Sequence, residues 1–214
     1  MIPLQELRML PAGNMENDRK RSNRSAMTNA ESDPLRARLE ASIGKSMSES
    51  GPADAPDAVN VPMIRHWVDA LDDRNRIYLD EEFASTTRFG GVVAPPAMLQ
   101  TWTMPRPEIQ GIAERGGAPG EISPDNPISI LDAAGYVATL ATNSELEFER
   151  YLRPGDRLQS SIVLEAISER KSTRLGHGYF LTWVTTYTDG EGEVVGRQTF
   201  RILKFDPSGL GTNS

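Results

Sequence analysis

Between Pro95–Pro96 and Pro105 lies a short segment, Ala97–Met98–Leu99–Gln100–Thr101–Trp102–Thr103–Met104. The two prolines open it as a helix, because their fixed φ suits a first turn that has no use for the missing N–H. Met104 closes it, since a residue before proline resists the helical basin. Ala97, Met98, Leu99, Thr101, Trp102 and Met104 leave little polar face. A helix apolar all round is a buried one, so the remainder of the chain has to enclose it.

The last third of the chain supplies an enclosure. Leu146 and Phe148 alternate with Glu145, Glu147 and Glu149, and Arg153–Pro154–Gly155–Asp156 reads as a turn. Leu158, Ser160, Ile162, Leu164 and Ala166 alternate along a second strand. Tyr179 to Tyr187 is aromatic and β-branched, Asp189–Gly190 is a hairpin signal, and Val194 to Phe205 returns. An antiparallel meander buries one face. The predicted fold is therefore α+β, one antiparallel sheet wrapped around a buried central helix. Tyr179, Trp183 and Tyr187 share one strand face and are expected in the core or at an interface.

Upstream, Asn14 to Asp33 has almost nothing to bury, so a disordered tail is expected over residues 1–32, with the domain at 33–206 and a short tail at 207–214. Leu35, Leu39 and Ile43 have helical spacing after Asp33–Pro34, and Ser46 to Ser50 is read as a first edge strand. Gly51 to Pro56 is read as a loop. A second helix runs from Met63 to Leu71 with Ile64, Trp67, Val68 and Leu71 on one face. Asp80–Glu81–Glu82 opens a third, and Arg106 to Asn126 is a Pro/Gly-rich loop suited to a lid or binding element.

Composition narrows function. A net charge of -7 argues against nucleic acid as partner. There are no cysteines and 2 histidines, so no thiolate or His-based metal site is expected. No window approaches the ~18 apolar residues of a membrane span, and a cytoplasmic location without membrane contact is expected. Arg170–Lys171–Ser172–Thr173–Arg174 is a compact basic stretch in an acidic chain, either a solvated turn or a patch for phosphates. His177 lies between Gly176 and Gly178, where a bulge or a close backbone approach competes with a ligand contact.

Asp73–Arg74–Asn75–Arg76–Ile77–Tyr78, followed by Gly91–Val92–Val93–Ala94–Pro95–Pro96, resembles the hydratase motif of MaoC-like (R-specific) enoyl-CoA hydratases, which have the hot-dog fold. In that family the motif is Gly-Asp-x-Asn-Pro-hydrophobic-His, then Ala-His-Gly at the start of the buried helix. Asp73 and Asn75 match. Tyr78 stands at the catalytic His, and Ala94–Pro95–Pro96 at Ala-His-Gly. The family's Asp and His share the water, and the Gly N–H serves the enolate-like oxygen. A phenol with a pKa near ~10 is no base at neutral pH, and proline has no N–H. Asp73, Asn75, Tyr78 and Pro96 are therefore read as degenerate positions with no catalytic residue in this chain, Asp73 and Asn75 capping their own loop.

Ala141–Thr142–Asn143–Ser144, Tyr151–Leu152–Arg153–Pro154–Gly155–Asp156 and Lys171 to Phe180 make the likeness more specific. They look like the non-catalytic MaoC-like subunits (FAS1-like dehydratase N-terminal domain), with likeness to the large subunit of steroid side-chain enoyl-CoA hydratases. That resemblance implies a catalytically competent MaoC-like partner, a bulky acyl-CoA substrate and no cofactor beyond the CoA of the substrate. Substrate contacts are expected at Gly91, Ala94, Pro95, Trp102, Arg170, Lys171, Arg174 and His177. A scaffolding module without substrate contact is the alternative. A hot-dog thioesterase is another, though Ala97 to Met104 lacks the carboxylate it would need.

Overall fold

The computed structural model describes residues 34–47, 51–106, 108–114 and 123–209. The expected tail at 1–32 and most of the C-terminal tail lie outside these residues. The sheet has strands β1 (Ala53–Asp54), β2 (Ala138–Phe148), β3 (Leu158–Ile167), β4 (Lys171–Thr173), β5 (Gly176–Asp189) and β6 (Val194–Phe205). Their order is β1-β3-β5-β6-β2, with β4 paired to β5 and every pairing antiparallel. The Asp189 carboxylate accepts the N–H groups of Glu191 and Glu193 and so fixes the β5–β6 hairpin.

The sheet has one inner face. Tyr179, Leu181, Trp183, Thr185 and Tyr187 alternate into it along β5 and are all buried. Opposite them on β6 stand Lys204, Ile202, Phe200, Gln198 and Gly196. The aromatics read from the sequence are thus core residues.

Helices α1 (Pro34–Glu40), α2 (Val61–Leu71), α3 (Glu81–Ser85), α4 (Leu99–Trp102) and α5 (Pro127–Ala133) complete the described fold, with 3-10 turns at Arg76–Tyr78, Pro96–Met98 and Pro207–Gly209. Helix α2 starts where Asn60 accepts the Met63 N–H and buries Ile64 and Val68. Leu71, expected on that face, is 63% exposed beside the left-handed cap at Asp72. No described helix is long and apolar enough to cross a membrane.

The central segment departs from expectation. It is a 3-10 turn running into α4, and it ends at Trp102. Met98, Leu99 and Trp102 are buried, but Ala97, Gln100 and Met104 are exposed. The two prolines withhold N–H groups at the start and Pro105 stops the chain at the other end, so the helix covers one end of the sheet only. Treating the segment as apolar on every side passed over Gln100. The other end is served by α5, whose local start signal, Asn126 as cap with Pro127 after it, went unread; Ile130 and Leu131 are buried. Tyr136, just beyond α5, packs edge-on against Tyr179 at 5.1 Å.

Two edges also differ. The first edge strand is β1 at Ala53–Asp54, inside the stretch read as a loop; of Ser46 to Ser50, the described residues give an isolated bridge from Ser46 to Val163. A strand pairs where its backbone meets a free ladder, and here Ala53 and Asp54 lie opposite Ser160 and Gln159. Strand β2 is longer than the alternation at 145–149 suggested, because a bulge between Ala141 and Asn143 resets its register.

Lys204 is 2% exposed on the inner face and its ammonium donates to Asp132 on α5, to Thr139 and, at 3.4 Å, to the Val137 carbonyl. Removing Asp132 leaves a buried cation. Asp132→Ala is expected to lower stability by about 2 kcal/mol, moderated by the carboxylate's partial exposure, whereas Asp132→Ala with Lys204→Met restores most of it. Urea unfolding of the two variants checks this; equal losses would refute it.

Candidate functional site

The stretch from Asp73 to Tyr78 folds as a capped loop. The Asp73 carboxylate accepts the Asn75 N–H at 3.0 Å, and the Asn75 side chain accepts the Ile77 N–H at 3.3 Å, starting the 3-10 turn. Both side chains are occupied by local backbone. The turn drives Tyr78 into the core, where it is 8% exposed. Burial pushes its phenol up, with Tyr151 and Asp73 adding to the shift. Tyr78 therefore stays protonated at neutral pH: it is a hydrogen-bond donor and not a base.

The motif's second half is brought alongside by backbone contacts. Val93 donates its N–H to the Ile77 carbonyl at 3.3 Å, and Ala94 donates to Leu152 at 2.8 Å. Gly91 has φ 154°, a left-handed value that favours glycine. The Glu81 carboxylate holds this turn by accepting the Val92 N–H at 3.2 Å. With the Ala94 N–H spent on Leu152 and none on Pro95 or Pro96, the next main-chain donor belongs to Ala97. The motif's oxyanion position has no N–H.

Gly91, Ala94, Pro95, Pro96, Asp73, Asn75 and Tyr78 thus gather at one end of the molecule. Trp102 belongs to the same core cluster, 4% exposed, with its indole N–H unpartnered among the described residues. Arg170, Lys171, Arg174 and His177 do not join them. They are exposed on the β4–β5 hairpin, and Tyr187, which packs in the core cluster with Tyr78, is ten strand positions from His177. At ~3.3 Å per residue that separation is roughly 33 Å. The basic stretch is strand β4, not a simple turn. A Cβ on Gly176 or Gly178 would collide with the Asp206 or Lys204 carbonyl, so these glycines serve close backbone approach. Asp206, which receives the Ser208 N–H, sits below the usual carboxylate range chiefly for that reason, with smaller help from His177 and Arg170. A half-open cavity of about 300 Å³ lies elsewhere, among Ser42, Lys45, Met47, Asn126 and Leu164.

Arg150 ties the turns at the Tyr78 end of the sheet. Its guanidinium donates to Asp156 at 2.6 Å, to Asp189 at 3.0 Å and to the Tyr151 carbonyl at 3.2 Å. Asp189 is held below the ordinary carboxylate range, first by Arg150 and then by its two backbone donors. A depressed folded-state pKa stabilises above the unfolded value and is lost as pH falls through the folded one. Stability is expected to drop between about pH 5 and pH 2, with a shallower slope in Arg150→Met. Acid titration of the unfolding midpoint tests this, and an unchanged slope would refute it.

Beside α4 lies a buried polar network that has no signature in residue spacing. The Tyr187 hydroxyl donates to the Gln198 carbonyl oxygen at 3.0 Å, and the Gln198 amide donates to Gln100 at 3.3 Å and to Ser144 at 3.1 Å. Burial pushes the Tyr187 phenol up to about 12. Ser144, Leu146 and Phe148 stand on the inner face of β2, opposite Phe200, Gln198 and Gly196. None is buried, and Phe148 is 43% exposed. Beside them stands exposed Gln100 of the central segment, tied to Ser144 through Gln198. Inner-face residues of a sheet normally pack against something. Here the β2 end of that face is uncovered among the described residues.

Comparison with known proteins matches these features. Residues 48–198 fit the family model described as FAS1-like, dehydratase domain region. The chain is 43% identical over 178 residues to the probable enoyl-CoA hydratase alpha subunit of Thermomonospora curvata, covering 79% of this chain and 51% of that protein. It is 41% identical over 166 residues to the 3-oxo-4,17-pregnadiene-20-carboxyl-CoA hydratase alpha subunit of Mycobacterium tuberculosis, covering 77% and 50%. The chain thus spans about half the length of these relatives. Among solved structures, the ChsH1-ChsH2 complex of Mycobacterium tuberculosis superposes with a TM-score of 0.67 at 37% identity, covering 82% of this chain and 92% of the matched one. A MaoC-like dehydratase shares the fold at a TM-score of 0.53 and 23% identity, covering 78% of this chain and 43% of the matched one. With a meander folded onto a short central helix and a matched region spanning most of the polypeptide, the chain belongs to the FAS1-like dehydratase family of MaoC-like hot-dog proteins.

Proposed function

We propose that this chain is a non-catalytic, acyl-thioester-accommodating subunit of a heteromeric R-specific enoyl-CoA hydratase or dehydratase, paired with a hot-dog chain that carries an intact motif. The observation that carries the reading is the paired loss at one site: a buried phenol in the base position and two prolines where a main-chain donor is needed. The uncovered inner face of β2 supports it, because a chain that works alone has no reason to leave that surface open. The relatives' names, each an alpha subunit of a hydratase, point the same way.

A bulky acyl group, a steroid side chain among them, is the substrate class this reading takes from the name of the Mycobacterium tuberculosis relative. Arg170, Lys171 and Arg174, with His177 beside them and too far from Tyr78 to serve the same centre, supply positive charge suited to the phosphates of a CoA whose thioester reacts in the partner.

The test is co-production with a neighbouring hot-dog chain bearing Gly-Asp-x-Asn-Pro-x-His. A stable heteromer that hydrates enoyl-CoA is expected. A heteromer whose activity equals that of the partner alone would make this chain a scaffold and overturn the proposal.

A further inference from the structure

The network centred on Gln198 has no part in the chemistry above. Gln198 is 5% exposed on the inner face, opposite Thr185, and its carboxamide is fully engaged: its oxygen receives the Tyr187 hydroxyl and its nitrogen donates to Gln100 and Ser144. The direction of these bonds has a consequence at the surface. The Gln100 carbonyl oxygen and the Ser144 hydroxyl oxygen both accept from Gln198, which leaves the Gln100 amide hydrogens and the Ser144 hydroxyl hydrogen to donate outward. Gln100 and Ser144 are both exposed, one on the central helix and one on β2, on the uncovered face beside Leu146 and Phe148.

We infer that Gln100 and Ser144, held in place by Gln198, form a specificity site on this face for an acceptor oxygen, a ketone or hydroxyl, carried on the acyl chain of the thioester substrate. This inference rests on the proposed hydratase role. A pair of donors fixed by a buried third residue loses little freedom when an acceptor arrives, which is how a polar site selects for one oxygen in an apolar lining. A small ligand fits better than the backbone of a partner chain. A pairing strand would take its main-chain bonds along the free edge of β2, in the plane of the sheet, whereas these donors stand on the inner face beside the helix. Gln198 acts only through its neighbours and is a positioning residue.

The experiment uses the purified heteromer and two trans-2-enoyl-CoA substrates of equal chain length, one hydrocarbon and one bearing a distal ketone. For Ser144→Ala and Gln100→Leu, KM for the keto substrate is expected to rise roughly fivefold to tenfold, with kcat retained and the hydrocarbon substrate unaffected. Gln198→Leu should reproduce the effect, and so should Gln198→Glu, whose carboxylate accepts where the amide donated and so draws the Ser144 hydroxyl and Gln100 amide hydrogens inward. Equal changes for both substrates, or none for either, would overturn the inference. Loss of the partner from either surface variant, read by sedimentation, would overturn it as well and identify the donors as a protein contact. If the unaltered heteromer hydrates neither substrate, it is the hydratase role that fails.

Discussion

Purified without a partner, the chain is expected to hydrate crotonyl-CoA no faster than buffer does, and a competent heteromer should exceed it by at least about four orders of magnitude. That figure follows from the two absent functions. General acid–base catalysis contributes about 10²–10⁴-fold and a single oxyanion donor about 10²–10³-fold. Tyr78 cannot supply the first, since burial keeps its phenol protonated, and Asp73 is occupied by the Asn75 N–H. Pro95 and Pro96 cannot supply the second. Tyr78→His alone should therefore restore little, because the donor is still missing. Steady-state rates of the lone chain and of the heteromer, measured side by side, give the ratio. Hydratase-like turnover by the lone chain would refute the inactivity of this site.

Gly178→Ala is expected to be among the most damaging single methyls in the sheet, costing about 3 kcal/mol, at the upper end for overpacking. The added Cβ would run into the Lys204 carbonyl and lie 2.8 Å from the Phe205 Cβ. Neither neighbour can swing away, because one is backbone and the other belongs to the central pairing of β5 with β6. Gly190→Ala is the control: nothing lies within 4 Å of its added Cβ, and it should move stability by less than about 0.5 kcal/mol. Chemical denaturation of both variants decides the matter, and comparable losses would show that strand contact is not the cause.

The sheet was legible because its strands alternate and its turns carry Pro, Gly and Asp. Tyr179 to Tyr187 declares a buried face in its spacing, and the structure buries it. Along Leu158 to Ala166 it buries Leu158, Ser160 and Leu164 but leaves Ile162 and Ala166 exposed, because a bulge after Leu164 turns Ile167 inward instead. The capping role of Asp73 and Asn75 was legible too, since short polar side chains bond their local backbone. What escaped the sequence depends on contacts distant along the chain. Lys204 and Gln198 look like solvent residues in an exposed-strand pattern until Asp132 and Gln100 are brought to them across 72 and 98 residues. The shortness of α4 was written in Pro105 and the start of α5 in Asn126–Pro127, yet the consequence, that α5 takes over the far end of the sheet, has no local signal. The separation of the basic hairpin from Tyr78 likewise follows from strand length and not from composition.

The rim of β2 carries a preference of its own. Glu145 and Glu147 lie on the outer face of that strand, next to its unpaired edge, with no lysine among its residues. A second copy laid antiparallel along the same edge would set carboxylates near carboxylates, an arrangement that like-charge repulsion disfavours. That repulsion works against two identical chains pairing along this edge.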